Sequence, residues 1–246
     1  MSEDLSEVAD IVKRRFLGAV VRDTEEDKEE MRGIQVTDIC YECMRRAYYQ
    51  VLYREKGEEE YKGMRESDWL KVWIGKKLHE TDFSEIHELN VNAFGVHGRI
   101  DEILVNNDAV VIVDKKTSRK IPTKPYEHHV KQVEYYAVLL KNSEVWEMLR
   151  GKKFYGAILY IDVAEGLSDV FVFPVNPEEA LLEREIREKV EILKKAFVEN
   201  KPPEPKSGWI CDYCDFLFHC VCDSNGMKQR NSRQHTFADR SMNGGG

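Results

Sequence analysis

No run of the 246 residues is apolar for long enough to cross a bilayer, and the longest near the start, Phe16 to Val21, falls far short of the need. The first ten residues, MSEDLSEVAD, hold no apolar core. No secretory signal is therefore expected, and the chain is placed in the cytoplasm with no membrane partner. Positive charge is in deficit: 37 Lys+Arg stand against 45 Asp+Glu, a formal net charge of −8. This excludes a general cationic coat that binds nucleic acid indiscriminately. It leaves room for a local cleft in which metal ions supply the positive charge. No Gly-x4-Gly-Lys-Ser/Thr occurs, so the chain encodes no helicase motor. What is present is a core: 42% hydrophobic and 10% aromatic residues rule out wholesale disorder. The length suits one domain, with or without an accessory element.

Cysteine is missing from the whole interval between Cys43 and Cys211. The six cysteines fall into two groups: Cys40 and Cys43, then Cys211, Cys214, Cys220 and Cys222. In a reducing cytoplasm a disulfide framework is not expected. The spacing Cys211-x2-Cys214-x5-Cys220 lets thiolates bind one metal centre from a tight loop. A fourth thiolate then comes from Cys40, Cys43 or Cys222. Zinc held by both Cys-x2-Cys pairs is one reading. An iron–sulfur cluster clasping the two ends of the chain is the other, and spacing alone does not decide between them.

Hydrophobic periodicity predicts helices over 3–22, 40–55, 67–80 and 126–141. Residues 25–30 are a charge run, expected as a solvated loop. Thr37 and Asp38 are candidate caps for the second helix. Alternation predicts strands over 86–94 and 96–105, and Asn106-Asn107-Asp108 suits a hairpin turn. Ala109 to Val113 reads as a central strand buried on both faces. Further strands are expected over 156–163 and 169–174, with a turn at Glu165-Gly166. A long helix opening at Pro177 leads through Lys201-Pro-Pro-Glu-Pro to the cysteine loop. These elements divide into a helical region at 1–83, an α/β core at 84–175, a helix with the cysteine loop at 176–222, and a polar tail at 223–246. The fold class is thus α/β, a mixed sheet flanked by helices.

The chemistry-bearing residues sit on those elements in a set order. His79 closes a helix, Gly98-x-x-Asp101 follows on a strand, and Asp114-x-Lys116 ends the apolar strand. Residues i and i+2 of a strand share a face, so Asp114 and Lys116 point the same way. Asp101, across a short turn, can converge with Asp114 on one hard cation, magnesium or manganese. Charges placed at the end of an apolar run must be paired or bind metal. Lys116 could hold water and stabilise charge on a phosphate. Gln132 and Tyr136, at i and i+4, face one way along their helix and could orient substrate. His79 could be a further ligand, one that favours manganese over magnesium. Taken singly, each has a bland reading as an ion pair, a helix-face residue or a structural histidine.

In that order the residues resemble the RecB-like branch of the PD-(D/E)xK nucleases. The cysteines narrow the resemblance to the branch with an iron–sulfur cluster, in particular the CRISPR-associated exonucleases called Cas-four. Cys43-Met44-Arg45-Arg46-Ala47-Tyr48-Tyr49 is similar to that family's Cys-Pro-Arg-Arg/Lys-x-Tyr segment, with Met in place of Pro. The likeness covers about residues 35–222. It implies a PD-(D/E)xK restriction-endonuclease-like core and a 4Fe–4S cluster on Cys43, Cys211, Cys214 and Cys220. Cys40 stands as the alternative to Cys43. It implies Mn2+ or Mg2+ held by His79, Asp101 and Asp114 with the Lys115 carbonyl, and Lys116 as the catalytic lysine. Gln132 and Tyr136 fill the last motif. The implied activity is 5′-to-3′ exonuclease digestion of single-stranded DNA ends, in CRISPR spacer acquisition beside the adaptation integrase. A stand-alone repair or replication nuclease and a non-catalytic metal-stapled DNA-binding module are the alternatives.

Overall fold

The computed structural model describes Arg15 and residues 32–56 and 66–222. The helix expected over 3–22, the charge run at 25–30, the tail from 223 and the Cys222 side chain lie outside what it describes, Arg15 apart. Described residues up to Lys206 form one compact unit, and those from Ser207 form a second.

The first unit is a six-stranded mixed sheet with helices against it. In chain order its elements are β1 (Ile34–Gln35), α1 (Val36–Ile39), α2 (Met44–Glu55), α3 (Glu66–His79), β2 (Ile86–Ala93), β3 (Val96–Val105), β4 (Ala109–Ser118), α4 (Glu127–Leu140), α5 (Trp146–Leu149), β5 (Lys153–Asp162), β6 (Leu167–Pro174) and α6 (Ala180–Val198). The strands run β1-β3-β4-β5-β6, with β2 also paired to β3. β3–β4 and β5–β6 are antiparallel, while β4–β5 is parallel and is reached through α4 and α5.

The apolar run of β4 does what its pattern requires. Val110, Ile112 and Val113 are buried, and the strand continues through Asp114 and Lys115 without regaining solvent. Helix α4 is buried from Val133 onward because the sheet covers one side and α6 the other. Polar links fasten that second side: Tyr135 Oη donates to Glu185 Oε1 (2.7 Å), and Lys189 Nζ donates to Tyr135 Oη (2.8 Å) and to the Ile39 carbonyl (2.9 Å).

Several boundaries differ from the sequence reading. The helix expected from residue 40 begins at Met44, because Cys40 ends the separate short helix α1. Asp38 therefore does not cap α2. It is buried inside α1, accepting from Gln35 N (2.8 Å) and from two Arg54 nitrogens (2.7 and 2.9 Å). Helix α6 begins at Ala180 rather than Pro177, with Glu179 Oε1 accepting from Leu181 N at its start. The expected turn at Glu165-Gly166 is present, with Gly166 in the left-handed region at φ 66°.

In the second unit, a 3-10 helix (Trp209–Tyr213) carries Cys211, and Cys214 follows it. A short helix α7 (Leu217–Cys222) carries Cys220. No helix among the described residues is long and apolar enough to cross a membrane.

Candidate active site

The site forms where two paired strands part. β3 and β4 pair as far as Glu102↔Val113. One step further would set Asp101 opposite Asp114. There β3 leaves β4 and, at its start, pairs β1 instead. The β2–β3 ladder skips one pair at the same level, where Glu88 takes φ 46° opposite Asp101. Strained backbone of this kind is kept where the surroundings fix it. The result is a gap lined by two carboxylates.

Asp101 is anchored on both oxygens. Oδ2 accepts from Lys115 N at 2.7 Å, and Oδ1 lies 3.2 Å from His79 Nδ1. Burial alone would push this carboxyl up, but the His79 contact, the Lys115 amide and the Lys116 charge outweigh it and hold it below its ordinary value. Asp114 is almost fully buried. Its Oδ1 accepts from Lys116 Nζ (2.9 Å) and Gln132 Nε2 (2.9 Å). Its Oδ2 is 2.8 Å from Lys116 Nζ but out of hydrogen-bond alignment, and is buried without a hydrogen-bond partner among the described residues. Burial raises the Asp114 carboxyl from 3.8 to about 6; Lys116 opposes that rise and Asp101 adds to it. Lys116 moves the other way. Burial would lower it, yet the Asp114 charge and hydrogen bond raise it above its usual value.

An unpartnered oxygen on a buried carboxylate is a site for a cation. No three His, Cys, Asp or Glu side chains are gathered into a metal cage among the described residues. Magnesium and manganese take one or two carboxylates and complete their shell with water and phosphate oxygens. Of the three side chains expected to hold such an ion, Asp114 keeps an oxygen without a hydrogen bond, and Asp101 and His79 contact each other at 3.2 Å. The Lys115 carbonyl, also expected to help, belongs to the strand that positions Asp114.

Gln132 and Tyr136 sit against the Asp114 carboxylate. Both are buried, and Gln132 Nε2 donates to Asp114 Oδ1 and to Tyr136 Oη, each at 2.9 Å. They orient Asp114. Gly98 explains itself through the same ring: a Cβ there would lie 2.6 Å from Tyr136 Cε1 and 3.0 Å from Val36 Cγ2. Only glycine lets the tyrosine lie against β3.

One pair was not foreseen. On the opposite face of β4 the Lys115 side chain is buried, and Nζ donates to the His79 carbonyl (2.8 Å), the Thr81 carbonyl (3.0 Å) and Glu102 Oε1 (2.9 Å). Ser84 Oγ donates to Glu102 Oε2 at 2.5 Å. All three Lys115 protons are used, so this buried pair is satisfied rather than exposed to the full cost of burial. It ties the end of α3, and with it His79, to the two strands that carry Asp101 and Asp114.

The cysteines divide by environment. Cys40 is buried and its Sγ donates to the Val36 carbonyl (3.0 Å); burial pushes the thiol well above its usual value. Cys43 is buried at the start of α2. Cys211, Cys214 and Cys220 lie in the second unit, part-exposed.

Comparison with known proteins places the chain in a family. Residues 13–222 match the family described as the PD-(D/E)XK nuclease superfamily. Among solved structures, SSO0001 is similar over 86% of this chain and 97% of its own, with a TM-score of 0.51 and 22% identity, a likeness of fold. A protein from Eubacterium rectale described as a candidate exonuclease is 15% identical over 76% of this chain and 73% of its own, with a TM-score of 0.30. No curated protein sequence matches. A six-stranded mixed sheet, an Asp114-x-Lys116 strand end facing Asp101, and a family match over most of the chain together make this protein a member of the PD-(D/E)XK nuclease superfamily, a nuclease that uses divalent metal.

Proposed function

We propose that this nuclease is an exonuclease that digests single-stranded DNA from its ends, 5′ to 3′, in the CRISPR-associated Cas-four group. The observation that carries the reading is the buried, half-satisfied Asp114 beside Lys116 and across from Asp101. A divalent cation bound there would polarise the scissile phosphate and lower the pKa of its water. The chain's own residues do the rest. Asp101 and Asp114 fix the position for positive charge, and Gln132 with Tyr136 keeps Asp114 from rotating. Lys116, held charged, faces the phosphate oxygens and stabilises charge that builds on them. Spacer acquisition beside an adaptation integrase is the setting that the Cys43–Tyr49 segment suggests.

Digestion of three labelled substrates with manganese tests it. Linear single strands should be degraded, with 5′-labelled ends released first, while closed circular single strands and blunt duplex persist. Cutting of circles at the linear rate would remove the exonuclease part. No cutting of any substrate with manganese or magnesium would remove the activity itself.

A 4Fe–4S cluster on Cys43, Cys211, Cys214 and Cys220 belongs to the same proposal. Its support is the C-x2-C-x5-C spacing and the environment of Cys40, whose thiol is already committed to Val36. Protein purified without oxygen should be brown. Cys43→Ser should lose most of its iron and visible absorbance, while Cys40→Ser keeps both. Equal loss in the two variants would make Cys40 a ligand after all, and a colourless, zinc-loaded wild type would replace the cluster with zinc.

A further inference from the structure

Beside Lys116, outside the carboxylate pair, stands a column of flat groups that the cleavage chemistry does not use. Tyr160 is the register partner of Lys116 on the neighbouring strand β5. Tyr160 Oη accepts from Tyr126 N (3.1 Å) and contacts His129 Nδ1 (2.8 Å), which fixes the start of α4 next to the lysine. His128 lies on the helix face that carries Gln132 and Tyr136, one turn earlier. Its ring stacks with two others. Tyr41 lies at 4.8 Å and 25°, and Tyr126 at 5.7 Å and 22°. Arg46 covers the Tyr41 ring with its guanidinium 4.4 Å from the ring centre. The contacts run Arg46, Tyr41, His128, Tyr126, with the three rings near-parallel, and the groups come from α2, the loop before it, and the start of α4.

A structural purpose alone does not account for its two ends. Tyr126 is 48% exposed, with edge contacts from His129 and Tyr160 and no second stacked ring among the described residues. At the other end, Arg46 Nη1 donates to Gln50 Oε1 (2.7 Å), while its Nε is buried with no acceptor among the described residues. One end offers an aromatic face and the other a guanidinium with a donor to spare. Burial and the nearby Lys116 and Arg46 charges lower the His128 imidazole to about 4. It is thus a neutral ring at physiological pH, suited to stacking.

We infer that this column is a nucleobase-stacking subsite, in which an unpaired base next to the scissile phosphate stacks on the exposed ring of Tyr126 and Arg46 meets the backbone of the same strand. Every base has a π-face, so such a subsite takes single strands without regard to sequence, and a paired base cannot enter it. The inference rests on the nuclease reading only for the direction of the strand, since stacking itself needs no metal and no cleavage.

Equilibrium binding in EDTA separates the two. The probes are a fluorescently labelled single strand and the same strand with abasic sites at successive positions from the 5′ end. Wild type should bind the intact strand more tightly than the one abasic at the stacking position. Tyr126→Ala should weaken binding of the intact strand by roughly 10-fold and leave the abasic strand unchanged, while Tyr126→Phe, which keeps the ring, binds as wild type. Melting curves show whether both variants are folded, and Tyr126→Phe carries the test if Tyr126→Ala is not. Equal affinity of wild type for intact and every abasic strand, or equal weakening of both strands by Tyr126→Ala, overturns the subsite. Loss of manganese-dependent cleavage in wild type would overturn the nuclease reading and leave this measurement standing.

Discussion

Lys116→Ala is expected to slow DNA digestion by roughly 10³-fold while manganese binding persists. The geometry separates the two properties. Lys116 touches Asp114 through Nζ, at 2.9 Å to Oδ1 and 2.8 Å to Oδ2, but the carboxylates that would bind the ion stay in place without it. What leaves is the fixed positive charge that faces the phosphate. Asp114→Ala removes both the ion's anchor and the partner of Lys116, so digestion and manganese binding should fail together. Asp101→Ala should behave likewise, because it also breaks the contacts with His79 and the Lys115 amide. Asp114→Ala combined with Lys116→Ala should be little worse than Asp114→Ala alone, since the lysine has no role once the ion is gone. His79→Ala should be milder: Asp101 keeps its Lys115 amide bond. Calorimetric titration with manganese, run beside digestion of labelled single-stranded DNA, reads both quantities. Full digestion by Lys116→Ala, or additive losses in the double variant, would break the assignment of these residues to one unit.

The parts of this site that the sequence made legible are those governed by local period. Five apolar residues in a row mark β4 as buried on both faces, and the period of two places Asp114 and Lys116 together. A hairpin turn at Asn106–Asp108, where Asn106 Oδ1 accepts from Asp108 N and Ala109 N, brings Asp101 back beside them. The spacing of four puts Gln132 and Tyr136 on one face of α4. Sequence alone did not show which way that face looks, and the structure sets the pair against Asp114. The parts that were not legible depend on pairing between distant segments. Lys115 reads as one more charge in DKK until the β3–β4 register shows Glu102 on the same face. The Tyr41–His128 stack needs the loop between α1 and α2 to meet α4, which no local pattern states. Cys40 and Cys43 are alike as sequence, and only the short helix α1, which ends between them, commits one thiol to a backbone carbonyl.

Asp114 should make the metal-free protein less stable as pH rises, and Asp114→Asn should remove that dependence. The sign follows from proton counts. Burial, first, and the charge of Asp101 raise the folded carboxyl to about 6 from 3.8, with Lys116 opposing. Between those values the folded state holds a proton that the unfolded state has released. Stability therefore falls as pH climbs through this window, and the full cost is present above it. A rise of about 2 pH units corresponds to about 3 kcal/mol between pH 4 and pH 7.5. Asparagine keeps an oxygen for Gln132 and has no proton to lose. Urea unfolding in EDTA should thus show the variant gaining on wild type by about that amount across the range. Adding manganese at pH 7.5 should close most of that gap. A cation bound at Asp114 Oδ2 stabilises wild type by about 3 kcal/mol at a hundredfold excess over its dissociation constant, with little effect on the variant. Parallel pH profiles for the two proteins would mean that Asp114 is not the strained carboxylate. Equal stabilisation of both by manganese would place the cation elsewhere.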